Sequence, residues 1–253
     1  MDKSRERRES LVYHAKPKPG KIEVIPTKKY NSQRDLAIAY SPGVAIPCQE
    51  IESDKDNTYK YTNKGNLVAV ITNGTAVLGL GDIGPEASKP VMEGKALLFK
   101  IFADIDVFDI EINEKDPIKF VEIVKSLSPT FGGINLEDIK APEAFQIEKD
   151  LIKGLDIPVM HDDQHGTAMI SCAALINAID LVNKKIKSVK LVMSGAGSSA
   201  IACTKLYISF GLKRENIIML DSKGVINNKR TDLNDEKKFF VTKRNINTLE
   251  EAM

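Results

Sequence analysis

The sequence predicts an α/β protein, with a mostly parallel sheet covered by helices on both faces. Three observations lead there. Short apolar runs alternate with helical stretches from residue 66 onward, the rhythm of successive βα units. Acidic residues stand where two of those runs end, at Glu137-Asp138 and Asp162-Asp163. A glycine-rich segment, Gly195-Ala196-Gly197-Ser198-Ser199, falls between a strand and a helix.

Composition narrows the class. The 253 residues suffice for one large domain or two modest ones. Lys and Arg number 36 against 35 Asp and Glu, a formal charge of +1. The absence of a basic excess to release counterions argues against nucleic acid as the main partner. Cys48, Cys172 and Cys203 are odd in number and far apart. They suggest neither a disulfide framework nor a thiolate metal site, and they suit a reducing compartment. Residues 1–10 are charged and lack the apolar centre of a secretory signal. No apolar run reaches the length of a membrane span. The expected location is cytoplasmic.

The elements follow in order. Residues 1–29, rich in Lys, Arg and Pro, read as an arm with one short helix near Arg5–His14. Asp35 is expected to cap a short helix that ends before Pro42, because the residue preceding a proline avoids the α region. Tyr40 then sits at a helix end beside a Pro-Gly turn, where a tyrosine ordinarily packs its ring and exposes its hydroxyl. Asn66–Thr72 reads as a strand, Asn73-Gly74 as a hairpin turn and Thr75–Gly79 as the return strand. The run Gly79-Leu80-Gly81-Asp82-Ile83-Gly84 has the spacing of a dinucleotide loop. It follows a hairpin and meets Pro85, so a tight turn is the better reading.

A helix over Glu86–Phe102 carries Lys95 beside Val91, Leu98 and Phe99. On pattern alone this lysine snorkels to water. Held in a drier place it would become a usable general base. Val107–Ile112 is a strand, and Pro117 opens a helix through Leu127. A strand follows Gly132-Gly133, and a helix runs from Ala141 to about Lys153. A further strand leads to Asp162-Asp163, and a long helix covers Thr167–Asn183.

Two adjacent carboxylates at a strand-to-helix corner repel each other unless a cation is near. A hard divalent ion taking oxygen ligands meets that need. A single Asp capping the helix is the plainer explanation, and for Asp162-Asp163 the two readings stand level. Glu137-Asp138 offers the same choice between solvated loop and ligand pair. In an α/β protein such corners fall at the carboxyl edge of the sheet, where ligands bind. Three oxygen ligands drawn from them would suit Mg²⁺ or Mn²⁺.

The second glycine motif has the context the first lacks. A strand over Val189–Ser194 enters it, a helix over Ala200–Gly211 leaves it, and a second strand, Ile217–Leu220, ends at Asp221. This is a G-x-G-x-x-A fingerprint followed by an acid, and it predicts a nicotinamide or flavin nucleotide with its pyrophosphate at the helix N-terminus. Asp221 suits a free ribose hydroxyl and therefore NAD. Ser222 and Lys223 suit the 2′-phosphate of NADP.

Five segments together resemble the malic enzyme family, most nearly its small bacterial NADP-dependent type. They are Tyr-Ser-Pro-Gly-Val-Ala at 40–45, Thr-Asn-Gly-Thr-Ala-Val-Leu-Gly-Leu-Gly at 72–81, Lys-Pro-Val-Met-Glu-Gly-Lys at 89–95, Asn-Leu-Glu-Asp-Ile at 135–139 and His-Asp-Asp-Gln-His-Gly-Thr-Ala at 161–168. The resemblance runs from about Lys16 to the end. It implies a catalytic α/β domain over residues 1–164 and the first part of a Rossmann-type NAD(P)-binding domain over 165–253. The implied reaction is oxidation of malate at C2 and loss of CO₂ to give pyruvate, with NADP, or else NAD, reduced.

By the same resemblance, Glu137, Asp138 and Asp163 ligate Mg²⁺ or Mn²⁺. Lys95 is the general base, Asp162 its partner, and Tyr40 the acid that protonates C3 of the enol. Gly195, Ala196, Gly197, Ser198 and Ser199, with Asp221, hold the nucleotide. A homodimer or higher homo-oligomer is expected. Ala76 stands where eukaryotic members carry an arginine for the substrate carboxylate, and family members continue past Met253, so an incomplete nucleotide domain is expected. Two alternatives stay open: an inactive fragment that keeps metal and dicarboxylate binding, and an oxaloacetate decarboxylase without redox activity.

Overall fold

The computed structural model describes residues 3–253. Its contacts divide the chain into two compact units. Residues up to Ile139 with Lys149–Val159 form the first, and Lys140–Glu148 with Met160–Met253 form the second.

The first unit begins with helices α1 (Lys3–Ala15), α2 (Gln33–Ala39), α3 (Ala45–Ser53) and α4 (Asn57–Tyr61), none of which buries a residue. Helix α1 is the expected arm helix. The cap of α2 differs from expectation. Ser32 is the N-cap, and Asp35 sits three residues on, completing a reciprocal capping box. A hydroxyl preceding the helix and an acid at its third position satisfy two backbone donors together, which Asp35 as N-cap could not do.

Strand β1 (Leu67–Thr72) is followed by α5 (Pro85–Ala103), β2 (Asp106–Glu111), α6 (Pro117–Leu127) and β3 (Gly133–Leu136). The sheet order is β2-β1-β3-β4, where β4 is Val159–His161, and β1 runs parallel to both β2 and β3. This overturns the predicted hairpin. Both edges of β1 are occupied by parallel neighbours, so no antiparallel return strand can pair over Thr75–Gly79. The segment folds on itself instead. Ile83 and Gly84 both donate to the Gly74 carbonyl at 3.1 Å, and Val77 bridges Gly81. A side chain at Gly74 would lie 2.1 Å from the Gly84 carbonyl oxygen, so this close approach requires glycine. The tight turn spans Leu78–Leu80, closed by Val77 and Gly81, so it includes only the start of the expected 79–84 run, and residues 82–84 lead irregularly into α5.

Val70 on β1, Met92 and Ala96 on α5 and Val107 on β2 form one buried cluster. Asp116 caps α6 by accepting from Ile118 and Lys119, with Pro117 at the first helical position. Helix α7 (Glu143–Gly154) supplies Glu143–Glu148 to the second unit and the rest to the first.

In the second unit, α8 (Asp162–Leu181), β5 (Leu191–Ser194), α9 (Ser198–Ser209) and β6 (Ile217–Asp221) form a βαβ unit with a preceding helix. Strands β5 and β6 are parallel, and β7 (Gly224–Val225) pairs antiparallel to β6. Short helices α10 (Asp235–Lys238) and α11 (Leu249–Ala252) follow. Ala168 and Cys172 from α8 pack with Ile201, Cys203 and Tyr207 from α9 and with Met219 and Ile226. Helix α8 starts five residues before the expected Thr167. No described helix is long and apolar enough to cross a membrane.

Candidate active site

Lys95 and Glu137 are brought together in the first unit. Lys95 lies on α5, and Glu137 immediately follows β3. The amine stands 3.2 Å from Glu137 Oε1, with the lysine side chain 20% and the glutamate side chain 7% exposed. Lys95 does not simply snorkel to water, because a buried carboxylate holds it. The other oxygen of Glu137 accepts from Asn135 Nδ2 at 2.8 Å.

Asp138 is buried and left-handed, with φ at +53°. Its carbonyl accepts from the Ala76 amide at 3.0 Å, which ties the β3 corner to the loop after β1. Asp and Asn tolerate this conformation better than most residues, yet it remains costly and is found where function fixes the backbone. A solvated loop is thereby excluded for Glu137-Asp138, since both side chains are buried.

Asp162 and Asp163 occupy the first turn of α8. Neither caps it. His161 is the N-cap residue and its side chain makes no capping bond. Neither aspartate is therefore the N-cap residue. Their charge is favoured at a helix N-terminus in any case. The Asp162 carboxylate lies over Gly166, where a Cβ would meet Oδ1 at 2.4 Å. Tyr40 follows α2 as its C-cap residue and is 78% exposed.

The glycine loop has the form its fingerprint predicts. Gly195 takes φ +122°, Gly197 is the N-cap of α9, and a Cβ on either would meet nothing within 4 Å. Open space over two bare glycines at the start of a twelve-residue helix fits a pyrophosphate. Ala196 is buried and Ser198 opens the helix. Ser199 is differently employed, because its hydroxyl donates to the Asp163 carbonyl at 2.6 Å.

Asp221 ends β6 as expected, but its oxygens are already engaged. Arg230 reaches both of them, at 2.7 and 3.1 Å. Lys237 adds a bond at 2.8 Å and the Lys223 amide one at 2.9 Å. The Arg230 guanidinium, with Lys237 behind it, holds the Asp221 carboxyl well below the usual range. Arg230 and Lys223 also bind Asp232. Three cations thus surround two carboxylates.

Sequence reasoning missed Arg230 and Lys237. It also missed Glu148, which lies on α7 with Ala144, Ile147 and Leu151, all buried. Positions 144, 147, 148 and 151 share one helix face, so a carboxylate in that stripe was the available signal. Glu148 is hydrogen-bonded to His165, which raises the histidine's pKa against the opposing effect of burial.

A parallel α/β chain with a nucleotide-type glycine loop and buried carboxylates at a strand end defines a class of dinucleotide-dependent enzyme folds. Family comparison makes it specific. Residues 19–152 match the malic enzyme N-terminal domain and residues 164–252 the malic enzyme NAD-binding domain. The chain belongs to the malic enzyme family. It is 63% identical over 232 residues to an NADP-dependent malic enzyme of Haemophilus influenzae, covering 92% of this chain and 31% of that protein. An NAD-dependent malic enzyme of Rhizobium meliloti is 55% identical, with 91% of this chain and 30% of that protein covered. The crystal structure of a malic enzyme from Pyrococcus horikoshii superposes with a TM-score of 0.86 at 47% identity, covering 93% of this chain and 55% of that one. The chain thus spans about a third of the length of the Haemophilus and Rhizobium relatives and about half of the Pyrococcus one.

Proposed function

We propose that this chain catalyses, or supplies the catalytic part for, oxidative decarboxylation of malate to pyruvate and CO₂. The observation that carries the reading is the amine of Lys95 held at a buried carboxylate where β3 ends. Lys95 removes the proton of the C2 hydroxyl. Asp162 is its partner in passing that proton on. Tyr40 returns a proton to C3 once CO₂ has left. Proton transfers of this kind contribute roughly 10²–10⁴-fold each.

Glu137, Asp138 and Asp163 hold Mg²⁺ or Mn²⁺; the first two are buried and the third half-buried. An all-oxygen donor set fits such a hard cation. When bound, the cation would supply charge stabilisation at the substrate oxygen and the nicotinamide a hydride acceptor. Residues 1–164 act as the catalytic domain. Residues 165–253 are the first part of the nucleotide domain, with Gly195–Ser199 as its pyrophosphate loop.

NADP is the preferred nucleotide. Asp221 would repel a 2′-phosphate if free, but Arg230 and Lys237 take up its charge, and one positive charge remains over the network. Association into a homodimer is supported by apolar side chains that the first unit leaves exposed, among them Val24, Ile25, Ile38 and Tyr40.

The test is appearance of reduced nicotinamide on mixing the purified chain with malate, Mn²⁺ and either NADP or NAD. Metal-dependent reduction that Lys95→Ala abolishes is the expected result. Bound Mn²⁺ without reduction would favour a metal- and dicarboxylate-binding fragment. Oxaloacetate consumption without nicotinamide reduction would favour the decarboxylase alternative.

A further inference from the structure

We propose that Glu148 is a positioning residue that fixes the acidic corner at the start of α8. The proposal rests on the metal and lysine-partner roles given above to Asp163 and Asp162. It concerns a group that touches neither substrate nor cation.

Glu148 stands in the apolar stripe of α7, with its side chain 9% exposed. A carboxylate there is costly unless its oxygens are bonded. They are. Oε1 accepts from the His161 amide at 2.8 Å and lies 2.9 Å from His165 Nε2. Oε2 accepts from Gln164 Nε2 at 3.3 Å. One carboxylate thus grips residue 161, where the strand ends, and residues 164 and 165, on the far side of Asp162-Asp163. A helix start leaves backbone donors unmet, and the His161 side chain supplies no cap. The negative charge of Glu148 also suits the positive end of α8.

The same corner is held from a second direction. Ser199, at the start of α9, donates to the Asp163 carbonyl. The backbone carrying the two aspartates is therefore bonded to α7 on one side and to the nucleotide loop on the other. Small displacements of groups that position reacting atoms can cost about 100-fold in rate. A residue that sets this backbone therefore acts on catalysis without joining it.

The test uses the 253-residue chain as wild type, Glu148→Ala, Glu148→Gln and Asp163→Asn. Hydrogen exchange of peptides covering 159–168 is read alongside Mn²⁺ affinity by electron paramagnetic resonance. In Glu148→Ala the His161 region should lose protection, and Mn²⁺ affinity should fall about 10–100-fold, as for loss of other groups that orient metal ligands. Glu148→Gln keeps an acceptor for the His161 amide and should stay within a few-fold of wild type. A merely structural role would lower thermal stability and leave Mn²⁺ affinity unchanged.

Unchanged protection or unchanged affinity in folded Glu148→Ala overturns the proposal. If Glu148→Ala does not fold, Glu148→Gln decides, and a 10–100-fold loss there overturns it equally. Failure of the underlying reading looks different. Asp163→Asn would then bind Mn²⁺ as wild type does, or wild type would not bind it, and the positioning role falls with it.

Discussion

The two acidic corners look alike in sequence and differ in structure. Each is a pair of acids after a short apolar run. At Glu137-Asp138 the chain leaves β3 through a left-handed residue, and both side chains are buried. At Asp162-Asp163 it turns directly into a helix and leaves the acids half-buried in the first turn. The first corner is shaped by backbone strain and an ion pair to Lys95. The second is shaped by hydrogen bonds from outside the pair, from Glu148 and Ser199. The same composition can thus be fixed either by its own conformation or by its neighbours.

The largest effect should come from the ion pair peculiar to the first corner. Lys95→Ala should lower malate oxidation about 10³–10⁴-fold, near the upper end for a general base. Steady-state nicotinamide reduction measures it, and activity within tenfold of wild type would remove Lys95 from the mechanism. Metal binding next compares the corners directly. Asp138→Asn and Asp163→Asn should each weaken Mn²⁺ by more than about 100-fold, beyond the loss of an outer-shell partner. If only one does, the other corner is not a ligand. Tyr40, outside both corners, serves as a control. Tyr40→Phe should slow proton return to C3 about 100-fold and leave the melting temperature unchanged, because the side chain is exposed.

Smaller effects separate conformation from chemistry. Asp138→Ala should melt roughly 2–4 °C below Asp138→Asn, the shift that about 1 kcal/mol of left-handed strain produces in a chain of this size. Equal melting temperatures would mean that the φ of +53° carries no cost. A last comparison lies at the end of β2. Burial, then the adjacent Asp109, pushes the Glu111 carboxyl up to about 7, against the pull of Lys89. The ordinary value for a glutamate, taken for the unfolded chain, is 4.5. The folded form binds the proton more tightly, so this contribution is fully present below pH 4.5 and is lost as pH rises through 7. Glu111→Gln should flatten that fall in a pH series of thermal melts and raise the melting temperature by a few degrees at pH 8. A curve parallel to wild type would contradict it.

Much of this was legible from the residues. Local signals placed β1, β2, α6 and the strand-loop-helix around Gly195, because periodicity, Pro117 and the glycine fingerprint act within a few residues. The hairpin over Thr75–Gly79 was misread for the opposite reason. The chain does bend at Gly74, but whether a return strand forms depends on whether an edge of β1 is free, and both are filled by strands distant in sequence. Asp35 and the start of α8 failed more narrowly. Several polar residues near a helix start compete for the cap, and the hydrogen bonds decide among them.

By itself, then, the sequence determined the α/β class, the family, the glycine-rich strand-loop-helix and the two acidic pairs at strand ends. Each rests on residue types at short, fixed spacings. Only the tertiary structure decided that Lys95 faces Glu137, that Arg230 and Lys237 occupy Asp221, and that Glu148 grips the start of α8. Those pairings join residues from 9 to 42 positions apart, and burial strengthens them, because a charge removed from water must find its partner within the protein.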